Sequence, residues 1–396
     1  MSRLWDKGKP LDTRILKFTA GTDHKLDARL VDYDVRASIA HARMLKTQGL
    51  LSAGDLVLIE SGLTELGDKH RRGEWSIRLE DEDVHTALEA RLTQAVGTAG
   101  ARLHTGRSRN DQVLAALRLY LLDASEMLAG GARALAESLE ALGERQRELP
   151  LPGYTHTQHA MPSTVGLWAD GFAAEIRDDA EGLKATQRRS SKNPLGSAAG
   201  FGVPVLSIDR EQTRRELGFE EIHEPVTAVQ LSRGKAESHL LFEVNLLLQD
   251  LGRLAADLIL FYAQEFAFVS LPESMTTGSS IMPQKRNPDV LELIRGGGAT
   301  AHACLVEALG VYSKLTSGYH RDLQLLKAPL FRGIDLAEET LEILVHTLGE
   351  VRFIPENITM STELYATEAA NRLVKDKDMP FRDAYREVAS RLDTKQ

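Results

Sequence analysis

The chain has 396 residues, of which 42% are hydrophobic, 27% are charged and only 6% are aromatic. This composition is ordinary for a globular protein, and the length is sufficient for two or three domains. The formal charge of −9 argues against a nucleic acid as the main partner, because proteins that bind nucleic acids usually carry a basic surface.

The first 103 residues mix short helical patterns with loops. The initial string, MSRLWDKGKPLDTR, is charged and lacks the apolar segment of a secretory signal. Apolar residues recur at helical spacing over 26–52, and a second helix is expected over 80–97, where the acidic start suits the helix dipole. We therefore expect a mostly helical N-terminal domain over 1–103.

Long helical patterns dominate the segment that follows. The first covers 110–149, although Gly130–Gly131 interrupts it, and its three–four spacing is followed by Leu128, Ala132, Leu135, Leu139 and Leu142. Further helices are expected from Ser163 or Thr164 towards Arg189, over 227–268, from Pro288 with Asn287 as N-cap, and over about 330–350. Five such helices predict an all-α fold whose central domain, 104–350, is an elongated long-helix bundle.

The remaining segment, 351–396, is shorter and more polar, and we expect a short helical C-terminal domain there. The longest apolar stretch, LILFYA at 258–263, is far too short to span a bilayer. The one cysteine, Cys304, has no intramolecular partner for a disulfide, which is consistent with a reducing compartment. These observations predict a cytoplasmic protein with no membrane partner.

Three polar segments lie at the ends of the predicted long helices. They are HTGRSRNDQ (104–112), PGYTHTQHAMP (152–162) and GSSIMPQKRNPD (278–289). Each alone is compatible with a capped helix start, a loop histidine or surface charges. Their occurrence together on one helical scaffold favours an active site for an anion, because helix N-termini present free N–H groups and a favourable dipole.

The segment 278–289 resembles the signature loop of the fumarase/aspartase superfamily, which cleaves C–N or C–O bonds and releases fumarate or a close relative. HTGRSRND, GYTH and MPQK are together similar to the argininosuccinate lyase family, and the similarity extends to YHRDLQLLK (319–327) and MPFRDAYREV (379–388). The resemblance implies a fumarase/aspartase-like fold with two smaller helical domains flanking the bundle. It also implies a homotetramer in which each active site is shared among three subunits.

The reaction that the resemblance implies is the last step of arginine biosynthesis, in which argininosuccinate is split into arginine and fumarate. The mechanism would be an acid–base β-elimination through an aci-carboxylate intermediate, with no metal or organic cofactor. Such an intermediate requires preorganised donors and cations where the second negative charge develops.

The resemblance also implies catalytic roles. Ser279 is expected to act as the base, with Ser280 as the less favoured neighbour, and His156 as the acid. Lys285 and the helix N-terminus that follows it would stabilise a serine alkoxide and the aci-carboxylate. Glu292 matches the glutamate that pairs with the histidine. The reverse assignment, with histidine as the base, stays open.

The substrate contacts follow from the same resemblance. The two succinyl carboxylates are expected to be bound by Arg109, Asn110, Thr155, Lys285 and Asn287, with Ser108 beside them. An arginine fork suits a carboxylate because it donates two parallel hydrogen bonds. The arginine half of the substrate is expected to contact Tyr319, Gln324 and Lys327, which without the resemblance would be a polar turn before a helix.

The chain departs from the family pattern in three places. Gly21 stands where the family usually has a serine, with Thr22 as a substitute, and VQLSRGKAES (229–238) replaces an acidic SDRD-type string. The C-terminal domain is also shorter than usual, which is compatible with a truncated or a reduced domain. Two alternatives therefore stay open: a sister enzyme acting on adenylosuccinate or on fumarate and malate, and a non-catalytic, crystallin-like structural protein.

Overall fold

A computed structural model describes residues 12–393. Residues 1–11, which carry most of the string used to argue against a secretory signal, lie outside the described residues, as do 394–396. The described chain is overwhelmingly helical, as the sequence predicts. No helix in this range has the length and apolar character needed to cross a membrane.

The α-helices, numbered in chain order, are α1 (Thr13–Ala20), α2 (Asp23–Leu26), α3 (Val31–Thr47), α4 (Ala53–Arg71), α5 (Val84–Val96), α6 (Thr98–Ala101), α7 (Arg109–Arg145), α8 (Val165–Ala185), α9 (Gln187–Ser190), α10 (Arg210–Leu217), α11 (Val226–Leu231), α12 (Lys235–Tyr262), α13 (Asp289–Tyr312), α14 (Lys327–Glu350), α15 (Ala366–Lys377) and α16 (Phe381–Asp393). Short 3-10 helices cover Asp27–Leu30, Leu79–Asp81, Glu273–Met275, Arg321–Leu326, Pro355–Asn357 and Thr362–Tyr365.

Within residues 12–393 the strands are few and form three two-stranded sheets. They are β1 (Pro150–Thr155) antiparallel to β2 (Gln158–Thr164), β3 (Lys192–Asn193) parallel to β4 (Glu221–Ile222), and β5 (Val269–Ser270) antiparallel to β6 (Arg352–Phe353). The hairpin of β1 and β2 occupies the second polar segment, for which the sequence pattern indicates a loop or the first turn of a helix. Thr155 pairs with Gln158, so the turn between them has two residues.

The long helices confirm the periodic pattern. Helix α7 runs through Gly130–Gly131 without a break. The residues of the predicted seam are all at most 1% exposed: Leu128, Ala132, Leu135, Leu139 and Leu142. The three–four spacing therefore marks the buried face of this helix.

The predicted helix over 227–268 is two helices, α11 and α12, separated at Ser232–Gly234. Gly234 has a φ of +84°, a conformation that ends the α-helical path and that side chains rarely adopt. A Cβ atom at Gly234 would lie 2.2 Å from Cδ1 of Tyr312, so the ring requires glycine here. Helix α12 then ends at Tyr262, before the short strand β5.

Helix α13 begins at Asp289, one residue after the predicted start. The side chain of Asn287, expected as the N-cap, instead donates to Thr277 Oγ1 at 3.4 Å and to the Gly278 carbonyl at 3.5 Å. Asn287 thus stabilises the loop in front of the helix, because its amide faces backwards along the chain.

The chain divides into two compact units, each built from three separate segments. The first unit contains the described residues of Met1–Ala129, Glu181–Asn245 and Thr300–Leu336. Its small apolar cluster joins α3, α7 and α10 and consists of Ala37, Ala40, Ala115, Leu119, Leu195, Leu217 and Phe219.

The second unit contains the described residues of Gly130–Ala180, Leu246–Ala299 and Ala337–Gln396. An aromatic cluster around Trp168 includes Phe172, Phe261 and Phe353, with ring centroids 5.5–5.8 Å from the indole. Helices α15 and α16 pack through Ala370, Ala384 and Val388. The division into domains 1–103, 104–350 and 351–396 stays a prediction, and its two ends extend beyond the described residues.

Candidate active site

A polar cavity in the first unit brings together five of the predicted site residues from segments far apart in the sequence. These are Arg109, Asn110, Tyr319, Gln324 and Lys327. The cavity is also lined by Asp23, Asp83, His85, Val113 and Arg233. Charged side chains of both signs therefore face a single space.

The first polar segment enters the cavity at the start of α7. The Ser108 N–H donates to the carboxylate of Asp111 at 3.0 Å, and the Asn110 N–H donates to Ser108 Oγ at 3.3 Å. These bonds satisfy donors of the first turn and leave Arg109 and Asn110 directed at the cavity, where the helix dipole favours negative charge.

Asp111 connects this helix start to the glycine-rich loop at 193–204. Its Oδ2 atom accepts from the N–H groups of Gly196 at 3.1 Å and Ala198 at 2.8 Å. The carboxyl group is fully buried, and this burial raises its pKa to about 6 even though three N–H donors and Arg107 oppose the shift. Asp111 was not predicted as a site residue, and it acts by positioning Ser108 and its neighbours.

Arg109 is paired within the cavity. Its guanidinium forms a salt bridge with Asp83, a carboxylate that is 1% exposed and also caps α5 by accepting from the Thr86 N–H at 2.9 Å. Burial alone would raise the pKa of Asp83, but the charge of Arg109, the interaction with His85 and the cap hydrogen bond lower it. The pair therefore stays ionised.

Lys327 is paired even more completely. Its Nζ atom donates to Asp27 Oδ1 at 2.6 Å and to Asp23 Oδ2 at 2.9 Å, and the lysine is 3% exposed. The two carboxylates raise the pKa of Lys327 against the effect of burial. Burial raises the pKa of Asp23 to about 6, and the charge of Lys327 opposes that shift. The ammonium group is thus charged and its charge is largely balanced by the protein.

Gln324 and Tyr319 complete the side of the cavity that precedes α14. The Gln324 amide donates to the carbonyl of Thr19, two residues before Gly21, at 3.0 Å, while its buried Oε1 atom has no hydrogen-bond partner among the described residues. The Tyr319 ring lies 5.8 Å from the guanidinium carbon of Arg233. Gly21 has a φ of +51° and ends α1, and neither Gly21 nor Thr22 is among the residues that line the cavity.

Five cavity residues were not among the predicted site residues, namely Asp23, Asp83, His85, Val113 and Arg233, and His85 is the clearest case. His85 is fully buried, and its Nδ1 atom lies 2.7 Å from a carboxylate oxygen of Asp34. Asp34 also accepts from Gln112 and from Ser38 Oγ, and these bonds hold the carboxylate that orients the imidazole. The other ring nitrogen of His85, the buried Nε2 atom, has no hydrogen-bond partner among the described residues. The only signal in the sequence was the helix start EDEDVH, which by itself reads as an acidic cap.

The second polar segment lies in the second unit, at the tip of the β1–β2 hairpin. His156 and Thr157 occupy the turn with φ values of +53° and +58°. Positive φ at both central positions matches the twist of a tight two-residue hairpin turn. Thr155 and His156 are exposed in the single chain, so the hairpin presents the imidazole to its surroundings.

The third polar segment is a loop closed at its base. Thr277 and Asn287 exchange two backbone hydrogen bonds, at 3.1 and 2.8 Å, and Arg286 bonds to Glu273 at 2.6 Å. Within the loop, Ser279 Oγ accepts from the Met282 N–H at 3.2 Å. The exposed Ile281 lies near its tip, at 83% of full accessibility.

The predicted catalytic groups of the second unit are mostly exposed in the single chain. Lys285, Glu292 and His156 are exposed, and Ser279 is half-buried. Among the side chains that the structure describes here, no hydrogen bond or ion pair joins His156 to Glu292, or Ser279 to Lys285. The predicted pairings of these residues stay predictions.

The residues over 12–393 contain no group of three or more His, Cys, Asp or Glu side chains arranged to hold a metal ion. Cys304 is buried, and its sulfur accepts from Arg332 Nε at 3.1 Å.

Comparison with known proteins gives a consistent result. The sequence profile of a family described as Lyase matches residues 9–302. Argininosuccinate lyase of Sorangium cellulosum is 45% identical over 98% of this chain and 90% of the relative. Argininosuccinate lyase of Thermotoga neapolitana is 41% identical over 98% of both chains, and that of Xanthomonas campestris is 42% identical over 99% of this chain and 91% of the relative.

Solved structures show the same fold at lower identity. An EDDS lyase in complex with formate superposes with a TM-score of 0.83 at 23% identity, covering 98% of this chain and 77% of that one. A fumarate lyase described as delta crystallin, from Brucella melitensis, superposes with a TM-score of 0.79 at 19% identity, covering 94% of this chain and 86% of that one.

Proposed function

Because this chain belongs to the argininosuccinate lyases of the lyase family, we infer that it cleaves argininosuccinate into arginine and fumarate at sites built around the cavity of the first unit. The observation that carries this assignment is the convergence of Arg109, Asn110, Tyr319, Gln324 and Lys327 on that cavity. These residues come from two segments more than 200 positions apart in the sequence.

The reaction is an elimination in which a C–H and a C–N bond break and a C=C bond forms. A base removes the proton from the carbon next to one succinyl carboxylate, and that carboxylate takes up the second negative charge of the aci-carboxylate. An acid then protonates the leaving guanidino nitrogen. The arginine and asparagine at the start of α7 supply a cation and hydrogen-bond donors for the succinyl half.

For the proton transfers we assign Ser279 as the base and His156 as the acid, with the reverse order as the alternative. Lys285 and the start of α13 lie beyond Ser279 in sequence and would stabilise its alkoxide. The exposed position of His156 at a hairpin tip suits a group that acts on a substrate held elsewhere, and Glu292 would stabilise its imidazolium form.

We also propose that the enzyme is a homotetramer in which each site takes residues from three subunits. Two features support it. Three of the four predicted catalytic side chains of one chain, His156, Lys285 and Glu292, are exposed. In addition, large apolar side chains are exposed along the long helices, including Leu167 on α8, Phe242 on α12, and Leu293 and Val306 on α13. Exposed apolar faces of this kind mark surfaces that are covered by other subunits.

Fumarate absorbance with argininosuccinate and with adenylosuccinate, measured side by side, tests the function. We expect fumarate from argininosuccinate alone, and His156→Asn should lower turnover at least about a hundredfold, because general acid catalysis contributes that much. Asparagine tolerates a positive φ, so the hairpin should keep its shape. His159→Asn, in the same hairpin, is the matched control and should retain turnover.

Two results would contradict the assignment. Fumarate from adenylosuccinate but not from argininosuccinate would identify a sister enzyme. A correctly folded protein that released fumarate from neither compound would indicate a structural, crystallin-like role.

A further inference from the structure

Three cations line the cavity of the first unit, and two of them are already balanced by carboxylates. Arg109 pairs with Asp83, and Lys327 pairs with Asp23 and Asp27. A substrate carboxylate that approached Lys327 would meet an ammonium group already in contact with two negative charges. Neither of these cations is therefore well suited to be the sole partner of a further anion.

Arg233 is the third cation, and its situation is different. It is 4% exposed, and its buried Nε and Nη1 atoms have no hydrogen-bond partner among the described residues. The ion pair that it forms within the described part of the chain, with Glu237, has a separation of 3.9 Å, which is too long for a hydrogen bond. A buried guanidinium with unsatisfied donors is unfavourable unless a ligand supplies the acceptors.

The backbone fixes Arg233 in this position. It lies in the break between α11 and α12, where its N–H donates to the Gln230 carbonyl at 3.2 Å. The next residue, Gly234, adopts the positive φ that packs against Tyr312. A guanidinium placed by such a constrained turn has little freedom to withdraw, so its direction toward the cavity is part of the fold.

The neighbours of Arg233 indicate which substrate group it meets. Its guanidinium lies over Tyr319, on the side of the cavity that the proposed function gives to the arginine half of argininosuccinate. That half carries a guanidino group, an α-ammonium group and an α-carboxylate. Of these three groups only the carboxylate is attracted to a guanidinium, and its two oxygens match the planar fork.

We propose that Arg233 binds the α-carboxylate of the arginine half of the substrate, a role that rests on the proposed function. This gives a purpose to the segment 229–238, whose sequence departs from the acidic pattern of the family. The carboxylate would accept from the unpartnered nitrogens, and the buried cation would gain the counter-charge that Glu237 supplies only from a distance.

The test compares L-arginine with agmatine, which is the same molecule without the α-carboxylate. Binding is measured by calorimetry and by inhibition of turnover, with fumarate as a probe of the succinyl side. For the unaltered enzyme we expect L-arginine to bind roughly tenfold to a hundredfold more tightly than agmatine, as for one charge-assisted pair. In Arg233→Met the two should bind with similar, weak affinity, and fumarate binding should be unchanged.

Arg233→Lys should recover part of the preference for L-arginine, because it restores the charge without the fork. If Arg233→Met does not assemble, Arg233→Lys provides the second variant for the same comparison of L-arginine with agmatine. Arg332→Met is the matched control: Arg332 is half-exposed, pairs with Glu307, and does not line the cavity. It should keep the full preference, and melting curves of all variants establish that they are folded.

An unchanged preference for L-arginine in folded Arg233→Met would overturn the inference. So would a selective loss of fumarate binding, which would place Arg233 on the succinyl side. Failure of the proposed function has a different signature, namely no fumarate release from argininosuccinate by the unaltered enzyme, whatever the ligand preferences of the variants.

Discussion

Asp111 shows how much a single buried carboxyl group can organise. It accepts hydrogen bonds from Ser108 on one side and from Gly196 and Ala198 on the other, and so joins the start of α7 to a loop that lies more than 80 residues away in sequence. Because the group is shielded from water, its protonation is coupled to folding.

This coupling predicts a defined pH dependence. The pKa of Asp111 is raised from its ordinary value of 3.8 to about 6, so between those values the folded state binds more protons than the unfolded state. The contribution of this group to stability is therefore fully present below about pH 4 and is lost as the pH rises to about 6. Asp111→Asn should remove that slope, which amounts to on the order of 2–3 kcal/mol.

The measurement is the unfolding free energy of both proteins between pH 4 and pH 8. Asp209→Asn is the control, since Asp209 also accepts two backbone N–H bonds but is only half-buried, at the start of α10. The unfolding free energy of the original protein minus that of Asp111→Asn should fall as the pH rises. If this quantity stayed constant or increased with pH, the pKa of Asp111 would not be raised.

At the level of single residues, the sequence was informative where site residues lie within short sequence motifs. Arg109 and Asn110 were expected from HTGRSRND, and Lys327 from YHRDLQLLK, and all three line the cavity. The partners of Lys327 were not foreseeable, because Asp23 lies 304 residues away and nothing local distinguishes it from a surface aspartate. In the sequence, Arg233 stood out only as part of a segment that departs from the family pattern. Its proposed role follows from the burial of its guanidinium, which the sequence does not reveal.

At the level of elements, helices were predictable and their interruptions were not. The three–four spacing in α7 identified its buried face over many turns. The hairpin of β1 and β2 was missed because three prolines, at 150, 152 and 162, argue against strands. A two-stranded sheet has only edge strands, however, and edge strands tolerate proline.

The glycine pair in α7 allows a test of helix packing. Nothing lies within 4 Å of a Cβ atom placed on Gly130, whereas one placed on Gly131 would lie 3.0 Å from Cδ1 of Leu341. Gly130→Ala should therefore stabilise the protein by about 0.5–1 kcal/mol, because alanine lowers the conformational entropy of the unfolded chain.

In Gly131→Ala the same gain should be cancelled or reversed by the close approach of Leu341. Denaturant unfolding of the two variants decides the matter. Equal effects of the two substitutions would mean that Leu341 moves away freely and that this part of the helix is loosely packed.

For the whole molecule, the tetramer is predicted from the family resemblance alone. Composition and periodicity predict long apolar faces but give no number of subunits. The exposure of Phe242 and Leu293 on a folded chain is the physical observation that supports the proposed assembly.

Shared sites predict that inactive chains can complement each other. If the three polar segments of one site come from three different subunits, His156→Asn and Ser279→Ala change residues that different subunits contribute. When the two inactive proteins are unfolded, mixed equally and refolded together, about a quarter of the sites should receive an intact copy of both residues, because each residue is drawn at random from the two chains. Turnover should return to roughly that fraction of the original protein.

Mixing Ser279→Ala with Lys285→Met is the control, because both residues lie in the same loop. Every chain in this mixture carries one of the two defects, so no hybrid contains an intact copy of that loop. This mixture should stay inactive. Activity in neither mixture, with tetramers formed in both, would mean that each chain builds its site alone.

The division of the chain has a practical consequence for anyone who wishes to dissect it. Each compact unit is assembled from three stretches of sequence, and the boundaries fall inside α7, α8, α12, α13 and α14. No single pair of start and stop codons therefore encodes either unit, and every cut at a boundary leaves a severed helix. Gene fusion and fragment exchange move contiguous pieces of sequence, so neither method can transfer one compact unit by itself.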